Sequence, residues 1–496
     1  MVPLGARRCV PYPDRLIGLS GSVQRDGLGT GIPVLVEPLS AVVTTGIYCR
    51  PGCAGRPHAS NVRAYALAAA AEADGFRPCL RCRPYRAAQP LSWTGPELVC
   101  RAVQLITDGA LDGRTEDHLA GRLGVSSRHL RRLFTAQLGV TPDELARSRR
   151  SHFARRLLDD TDLPIADIAF ASGFGSVRQL NRACHDVFRA TPGELRARRR
   201  VTDRLVADGG LALRLPYRGP LDWEALLGYF RARAIPGVEQ VEGDTYRRTV
   251  VVAGDPGVLE LMPGGPEHLV LRAHLPHWED LIHLVHRARR IASLDFDLDE
   301  PLGLLTDDPI LAPLIGTRPG LRVPGTWDPF ETGVRAIIGQ QVSIAGATTI
   351  TGRLVERLGT PVPGLGPMGL THTFPSPETL AGADLTGLGL THAREDGIAA
   401  FAQAVSAGVV RLDRSVGLDE LVSSISAIAG LGPWTAHYVA LRLGEPDAFP
   451  ATDLGVRRAL EASAGRATRG RFGDRPDERW RPWRALATTY LWAASS

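Results

Sequence analysis

A chain of 496 residues is too long for a single hydrophobic core, because single domains seldom exceed about 250 residues. Hydrophobic residues make up 44% and charged residues 22%, which excludes a disordered or fibrous chain. Apolar runs fall short of the ~18 residues of a membrane helix, and the first 21 residues lack the apolar core of a signal peptide. We therefore expect several folded domains, no membrane partner and a cytoplasmic protein.

The charge is distributed unevenly along the chain. Residues 1–200 contain 29 arginines and 18 acidic residues, whereas residues 201–496 contain 29 arginines and 35 acidic residues. All basic residues are arginine, since the sequence contains no lysine. A basic first part on a nearly neutral protein indicates a polyanionic partner such as nucleic acid.

The first 40 residues are rich in glycine and proline and are poorly specified. The β-branched run at 41–48 predicts a strand, and residues 61–73 predict a helix. A proline-containing linker is expected at 83–93.

Four cysteines follow the spacing Cys49-x3-Cys53 and Cys79-x2-Cys82. Two chelating pairs of thiolates are typical of tetrahedral zinc. Most such sites only stabilise the fold, but an exposed zinc-bound thiolate can also be a nucleophile. From spacing alone both interpretations stay open.

The sequence around these cysteines resembles the amino-terminal domain of the Ada family of adaptive-response proteins. The resemblance is carried by AVVTTGIYCRPGC at 41–53, NVR at 61–63 and GFRPCLRCRP at 75–84. It implies one zinc ion held by Cys49, Cys53, Cys79 and Cys82, with Cys49 accepting a methyl group from a methylphosphotriester in DNA. The helix and strand that usually precede this motif in the family are not recognisable in residues 1–40.

Residues 97–200 are predicted to be almost entirely helical. Two helix-turn-helix patterns, at 115–134 and 165–182, lie about 50 residues apart. One copy could be a simple helical hairpin, but the duplication favours DNA binding, and the stretch resembles the AraC-type regulator domain. The predicted second helices, 126–138 and 176–188, present polar side chains to a DNA groove; the candidates for DNA contacts are Arg128, Arg131, Arg178, Gln179 and Asn181.

From residue 211 the pattern changes to a small α+β unit. Strands are predicted at 211–217, 247–254 and 268–275. Helices are predicted at 223–233 and 278–291. Residues 329–496 are again helical, with glycine- and proline-rich turns at 359–367, 430–433 and 445–450.

A Gly-Leu-Gly-Pro turn at 430–433 joins predicted helices at 418–429 and 434–443. Its glycines could let the backbone approach a DNA phosphate, although a plain turn is the commoner explanation. Asp453 precedes a predicted helix at 454–463. From sequence alone, an N-cap is the simpler role for Asp453.

Residues 208–496 resemble the helix-hairpin-helix DNA glycosylases of the AlkA type. The resemblance is carried by DPFETGVRAIIGQQVS at 328–343, LGPWTA at 431–436, PDAFPATD at 446–453 and RPWR at 481–484. It implies that Asp453 is the catalytic carboxylate. It further implies a base pocket of Trp434, Tyr438 and Trp492, and DNA contacts by Gly430, Gly432 and Gln341. Gln341 stands where the family's type member inserts a leucine wedge.

These resemblances predict a multidomain fold, mainly α with small α+β units. The predicted domains are an Ada-type zinc domain at 41–88, an AraC-type double helix-turn-helix at 92–200, an AlkA-type α+β domain at 208–300 and a helix-hairpin-helix glycosylase domain at 301–496. The predicted function is methyl transfer to Cys49, transcription activation at a promoter and excision of alkylated bases such as 3-methyladenine and 7-methylguanine.

Double-stranded DNA is the expected partner, with RNA polymerase as a possible one, in a nucleoid-associated protein without a nucleotide cofactor. Glycosylases that also cut the backbone commonly form a Schiff base through a lysine, and this chain has none, so only base removal is expected. The Pro-Cys-His-Arg site of the Ada family's other methyltransferase domain is absent. The alternative is a non-enzymatic, zinc-containing transcription factor that keeps a glycosylase-like domain for DNA binding.

Overall fold

The computed structural model describes residues 38–55, 57–87, 96–200, 203–205, 210–464 and 476–495. Residues 1–37 of the poorly specified first segment and residues 88–93 of the predicted linker therefore lie outside the described residues, whereas residues 39 and 40 belong to the first strand. Across the described ranges, no helix is both long and apolar enough to cross a membrane.

The cysteine-bearing region is built on a four-stranded sheet of order β3-β1-β2-β4. Its strands are β1 (Leu39–Val42), β2 (Ile47–Cys49), β3 (Val62–Tyr65) and β4 (Arg77–Pro78). A short helix, α1 (Ala68–Ala73), packs beside the sheet. β2 and β4 pair in parallel, while the other pairs are antiparallel.

Two sequence predictions for this region are wrong. Residues 41–48 do not form one strand, because the chain reverses at Gly46, whose φ is +63° and whose N–H donates to Val42 O. The predicted helix at 61–73 forms only in its second half. Residues 62–65 of its first half instead form β3, which pairs with β1. This pairing gives hydrogen-bond partners to their backbone N–H and C=O groups, and local helix propensity takes no account of a partner strand.

Residues 97–197 are almost entirely helical, as the sequence predicts, and the structure divides them into seven helices. They are α2 (Glu97–Thr107), α3 (Glu116–Arg122), α4 (Ser127–Leu138), α5 (Pro142–Asp160), α6 (Ile165–Ala171), α7 (Val177–Phe188) and α8 (Pro192–Ala197). Ser126 and Ser176 cap α4 and α7 by accepting hydrogen bonds from His129 N and Gln179 N. The long helix α5 connects the two helix-turn-helix copies and contacts α2, α6, α7 and α8.

The next region is a five-stranded antiparallel sheet of order β5-β9-β8-β7-β6 with two helices. Its elements are β5 (Leu211–Pro216), α9 (Trp223–Arg233), β6 (Glu239–Glu242), β7 (Thr245–Val252), β8 (Asp255–Gly265), β9 (His268–His274) and α10 (Leu281–Ile291). β6 and β8 were not predicted. β8 contains proline and glycine residues, which have low strand propensity, yet it pairs with both β7 and β9. α10 begins three residues later than predicted.

Among the described residues from 299 to 495, the regular elements are helices apart from one short β pair, β10 (Thr360–Pro361) with β11 (His372–Thr373). The helices are α11 (Asp299–Leu305), α12 (Ala312–Thr317), α13 (Pro329–Ile338), α14 (Ile344–Leu358), α15 (Pro377–Ala381), α16 (His392–Ser406), α17 (Leu418–Ser426), α18 (Pro433–Leu443), α19 (Leu454–Ala464) and α20 (Arg484–Ser495). α13 packs against both α16 and α18 around a core that includes Phe330 and Phe401. This packing fixes α18, which carries the aromatic residues of the site.

Buried polar contacts join the helix-turn-helix region to the helical region that begins with α11. Arg101 Nη1 on α2 lies 3.0 Å from Glu445 Oε1, just beyond the end of α18. Arg414 Nη1 donates to Gln104 Oε1 at 2.7 Å. Because these groups are buried, their contacts hold α2 against the end of α18.

Candidate functional site

The glycine turn between α17 and α18 forms the hairpin that the sequence predicts. Gly430 has a φ of +81°, a conformation that residues with a Cβ rarely adopt. Gly432 is the residue before α18, and a Cβ placed on it would meet no atom within 4 Å. Both glycines are exposed, so a DNA backbone could approach them closely and meet the N–H groups at the start of α18.

Asp453 caps α19, as the simpler interpretation of the sequence holds. Its Oδ1 accepts hydrogen bonds from Gly455 N at 2.9 Å and Val456 N at 3.1 Å. The carboxylate also receives two indole N–H groups, from Trp492 Nε1 to Oδ1 at 2.7 Å and from Trp434 Nε1 to Oδ2 at 2.9 Å. Four N–H donors therefore hold one carboxylate, which fixes its orientation.

The predicted pocket aromatics lie together beside this carboxylate. Trp434 and Tyr438 stack with ring centroids 5.6 Å apart, and Trp492 lies 6.0 Å from Tyr438 at a tilt of 54°. Tyr229, on α9, brings its hydroxyl within 3.4 Å of the Tyr438 hydroxyl. The aromatic cluster thus joins two regions of the chain.

Two arginines that the sequence analysis missed lie against these rings. Arg442 Cζ lies 4.5 Å from the ring centroid of Tyr229 and 5.0 Å from that of Tyr438, and Arg233 Cζ lies 4.3 Å from Tyr229. Burial alone would raise the pKa of Tyr438, but Arg442 and then Arg233 lower it to about 7. Tyr438 and Arg442 are four residues apart on one helix, so their side chains lie on the same face. This spacing would have allowed Arg442 to be predicted from the sequence.

These groups line one cleft with a volume of about 1810 Å³. The cleft brings together seven residues that the sequence singled out, namely Gln341, Gly430, Gly432, Trp434, Tyr438, Asp453 and Trp492. Gln341 is exposed and has a φ of +54°, which is uncommon for a residue with a side chain.

The four predicted metal ligands converge at one end of the first sheet. The Sγ atoms of Cys49, Cys53, Cys79 and Cys82 all lie within 4.8 Å of one another. Parallel pairing of β2 with β4, including the hydrogen bond from Cys79 N to Tyr48 O at 2.9 Å, brings the two pairs together. Four soft thiolates suit Zn²⁺. Burial, followed by hydrogen bonding with Cys79, raises the pKa of Cys49.

The polar residues predicted to face DNA on α4 and α7 differ in their surroundings. Arg128, Arg178 and Gln179 are exposed on the first turns of these helices, although Gln179 Oε1 accepts from Gly175 N at 3.0 Å. Arg131 is paired with Glu116 at 2.8 Å, and Asn181 Nδ2 donates to the backbone of its own helix. Arg128 and Arg178 are thus the two of the five that are exposed and whose side chains make no hydrogen bond or ion pair with other described residues.

Four family models match the chain in the same order as these regions. The metal binding domain of Ada matches residues 39–85, and the helix-turn-helix domain matches residues 119–198. The AlkA N-terminal domain matches residues 212–328, and the HhH-GPD superfamily of base excision DNA repair proteins matches residues 334–474.

One curated relative matches nearly the whole chain. The "Probable bifunctional transcriptional activator/DNA repair enzyme AlkA" of Mycobacterium tuberculosis (strain CDC 1551 / Oshkosh) is 41% identical over 457 residues, covering 91% of this chain and 92% of the relative. This chain belongs to the family of bifunctional AlkA proteins. The predicted fold class and family are thereby confirmed, and the AlkA-type glycosylase region of the chain is established.

Two further relatives match separate parts of this chain. DNA-3-methyladenine glycosylase 2 of Escherichia coli (strain K12) is 31% identical over 282 residues, covering 56% of this chain and 95% of the relative. The bifunctional transcriptional activator/DNA repair enzyme Ada of the same organism is 43% identical over 124 residues, covering 24% of this chain and 32% of the relative. The Ada model and the four converging cysteines together indicate a zinc-binding region, and the domain models indicate a DNA partner.

Proposed function

We propose that the region from residue 208 to residue 496 removes alkylated bases such as 3-methyladenine and 7-methylguanine from double-stranded DNA. The observation that carries this proposal is the Asp453 carboxylate, which two tryptophan N–H groups hold at the wall of the cleft. A carboxylate used only as an N-cap has no need of two further donors. The similarity to DNA-3-methyladenine glycosylase 2 supports the same substrate class.

In this mechanism the damaged nucleotide leaves the duplex and its base enters the cleft. The stacked Trp434 and Tyr438 rings offer faces to a cationic alkylated purine. As the bond between base and sugar breaks, positive charge develops on the sugar, and the negative charge of Asp453 stabilises it. Water then takes the place of the base and leaves an abasic site.

The reaction is proposed to stop at base removal. Glycosylases that also cut the backbone commonly use a lysine amine to form an imine with the sugar. The first turn of α18 carries Trp434 where such a lysine stands, and the chain contains no lysine at all. We therefore expect intact abasic DNA as the product.

Asp453→Asn tests the catalytic role. Asparagine can still accept the two backbone hydrogen bonds of the cap but carries no charge, so DNA binding is expected to persist while single-turnover base release falls by about 100-fold or more. Asp328→Asn is the matched control, because Asp328 caps α13 in the same way and lies outside the cleft. Base release at the wild-type rate by folded Asp453→Asn would favour the non-enzymatic alternative.

For the first region we propose single-turnover transfer of a methyl group from a DNA methylphosphotriester to Cys49. The Cys49 sulfur forms the new bond to carbon while the bond between carbon and phosphate oxygen breaks, leaving an anionic phosphodiester. Zinc, one ion per chain held by the four cysteines, would keep the sulfur as a thiolate. Methylation would change the charge of the site from −2 to −1, and DNA affinity should rise because repulsion of the phosphates falls.

Cys49→Ala tests the acceptor. It is expected to take up no methyl group from methylated DNA while base release continues. Asp453→Asn should still take up the methyl group but release bases much more slowly. Methyl appearing on Cys49→Ala would refute the assignment.

For the helix-turn-helix region we propose promoter binding through Arg128 and Arg178, with Arg131, Gln179 and Asn181 as further contacts, in a nucleoid-associated protein that recruits RNA polymerase. The exposed first turns of two serine-capped helices support it. Arg178→Ala is expected to weaken promoter binding without changing base release. Unchanged promoter binding by a double Arg128→Ala, Arg178→Ala variant would contradict the role.

A further inference from the structure

A buried ion pair connects the helix-turn-helix region to the helix that carries the pocket aromatics. Arg101, on α2, donates from Nη1 to Glu445 Oε1 at 3.0 Å and from Nη2 to Glu445 Oε2 at 3.4 Å. Only 8% of each side chain is exposed. A buried carboxylate that loses its partner is left with an uncompensated charge, so this pair resists separation.

The guanidinium of Arg101 is held in one orientation by two further groups. Its Nε and Nη2 donate to Glu97 Oε1, one turn earlier on α2, at 2.9 and 2.6 Å. Its Nη1 also donates to Arg414 O at 3.3 Å. Together with the two bonds to Glu445, these contacts use all five N–H groups of a guanidinium. Arg101 is therefore a fixed point against which Glu445 is placed.

Glu445 belongs to the end of α18. Gly444, with a φ of +92°, donates from its N–H to Leu441 O at 3.0 Å, and Glu445 N donates to Ala440 O at 3.0 Å. These two bonds form the Schellman motif that ends a helix. The backbone of Glu445 thus ends the helix that carries the pocket aromatics, while its side chain is held by α2.

Glu445 also begins the irregular segment 445–453 that leads to Asp453. Within this segment, Ala448 N donates to Glu445 O at 3.2 Å. The middle of the segment is held by α20, where Arg484 Nε donates to Asp447 Oδ1 at 2.7 Å. Its first residue is held by α2. Contacts to two separate helices therefore determine where this segment places the carboxylate at its end.

We propose that Glu445 is a positioning residue for Asp453, and that Arg101 of the helix-turn-helix region holds Glu445 in place. This rests on the glycosylase function proposed above. A negative charge stabilises a developing positive charge only from the right position, and a misplacement of about 1 Å can slow a reaction by about 100-fold. Because α20 still holds the segment when α2 does not, we expect a smaller loss of about tenfold. The helix-turn-helix region is then part of the scaffold of the repair site.

The test measures single-turnover release of 7-methylguanine by full-length Arg101→Met, Glu445→Gln and the double variant, at protein concentrations where the rate no longer rises. This plateau rate does not change when part of the protein is merely unfolded, so it separates positioning from stability. Each single variant is expected to lose about tenfold. Both changes break the same pair, so the double variant should also lose about tenfold rather than about 100-fold.

Two more variants complete the comparison. Arg101→Lys keeps a positive charge beside Glu445 but lacks the planar fork, so we expect a loss of only about two- to threefold. If Arg101→Met does not fold, Arg101→Lys and Glu445→Gln carry the same test. Arg411→Met is the matched control, because it removes an exposed arginine–glutamate pair, with Glu420 at 2.6 Å. It should release bases at the wild-type rate.

A second readout does not depend on catalysis. Hydrogen exchange of the amides in segment 445–453, measured without DNA, is expected to be about tenfold faster in Arg101→Met than in wild type, with α13 unchanged. A wild-type plateau rate for Arg101→Met, a 100-fold loss in the double variant, or unchanged exchange of the segment would overturn the positioning role. Exchange that depends on Arg101 in a protein that releases no base would support the placement of the segment by α2 and contradict the glycosylase function.

Discussion

Trp492 donates its indole N–H to Asp453 Oδ1 at 2.7 Å, across 39 residues of chain. Trp492 lies on α20 and Asp453 caps α19, and these two helices pack against each other. The packing of α20 therefore determines where the carboxylate points. Trp434 supplies the matching bond to Oδ2 from α18, so three helices meet at one functional group.

The first prediction concerns the Trp492 hydrogen bond. Trp492→Phe keeps an aromatic ring but removes the N–H, so the carboxylate loses one of its two indole donors. We expect single-turnover base release to slow by about tenfold, the scale of one hydrogen bond to a charged group, with little change in DNA binding. Trp223→Phe is the control, since Trp223 also donates its N–H, but to Asp244 O at the surface. Equal rates for both variants would mean that this bond does not orient Asp453.

The second prediction concerns the ionisation of Tyr438. Its pKa is lowered to about 7 because Arg442 and Arg233 outweigh the effect of burial. Raising the pH through 7 should therefore produce a tyrosinate absorption change and strengthen binding of a cationic base. Tyr438→Phe should abolish the change, and Arg442→Met should move it to higher pH.

Tyr217→Phe is the control for this titration, because burial raises the pKa of Tyr217 and places its ionisation far above neutrality. A tyrosinate change near pH 7 that survives Tyr438→Phe would assign it to another residue.

The third prediction concerns the metal. Purified protein is expected to contain zinc, and Cys79→Ser or Cys82→Ser should release it and unfold the region built on β1 to β4. Base release should continue, because the cleft lies in another region. Elemental analysis and hydrogen exchange of α1 measure the two effects. Wild-type protein that binds no zinc, or Cys82→Ser protein that retains it at full occupancy, would contradict the four-cysteine site.

The fourth prediction concerns the contact between the zinc region and α5. Glu72 Oε1 lies 2.6 Å from His152 Nε2 and accepts from Tyr48 Oη at 2.7 Å. Burial alone would raise the pKa of Glu72, but the charge and hydrogen bond of His152 lower it below its usual value. The stability this pair contributes is thus present above the pKa of an unfolded glutamate and is lost as the pH falls through the lowered value.

Glu72→Gln should therefore loosen α1 from α5 at neutral pH, by about 3 kcal/mol if the remaining partner stays buried, and should remove the acid sensitivity of this contact. Hydrogen exchange in α1 between pH 3 and pH 7 measures both effects. Glu356→Gln, a change on the separate helix α14, is a suitable control. Identical exchange in wild type and Glu72→Gln would show that the pair does not hold the two regions together.

Several features of this protein, among them its metal ligands and helix ends, follow from short-range sequence patterns. The spacing of four cysteines was enough to predict a metal centre, because each pair chelates through a short loop. Serine before α4 and α7, glycine at residue 430 and aspartate before α19 follow rules of backbone geometry that act within a few residues. These features could be predicted from the sequence for that reason.

The features that depend on contacts between distant residues were determined only by the tertiary structure. Residues 62–65 form a strand because β1 lies beside them, and β8 forms despite its proline and glycines because two neighbouring strands pair with it. Tyr229 meets Tyr438 across 209 residues, and Asp453 acquires its indole donors only when α18, α19 and α20 pack. Burial and hydrogen bonding stabilise such contacts only when the chain has folded and the distant segments are adjacent. No local pattern in the sequence therefore encodes them.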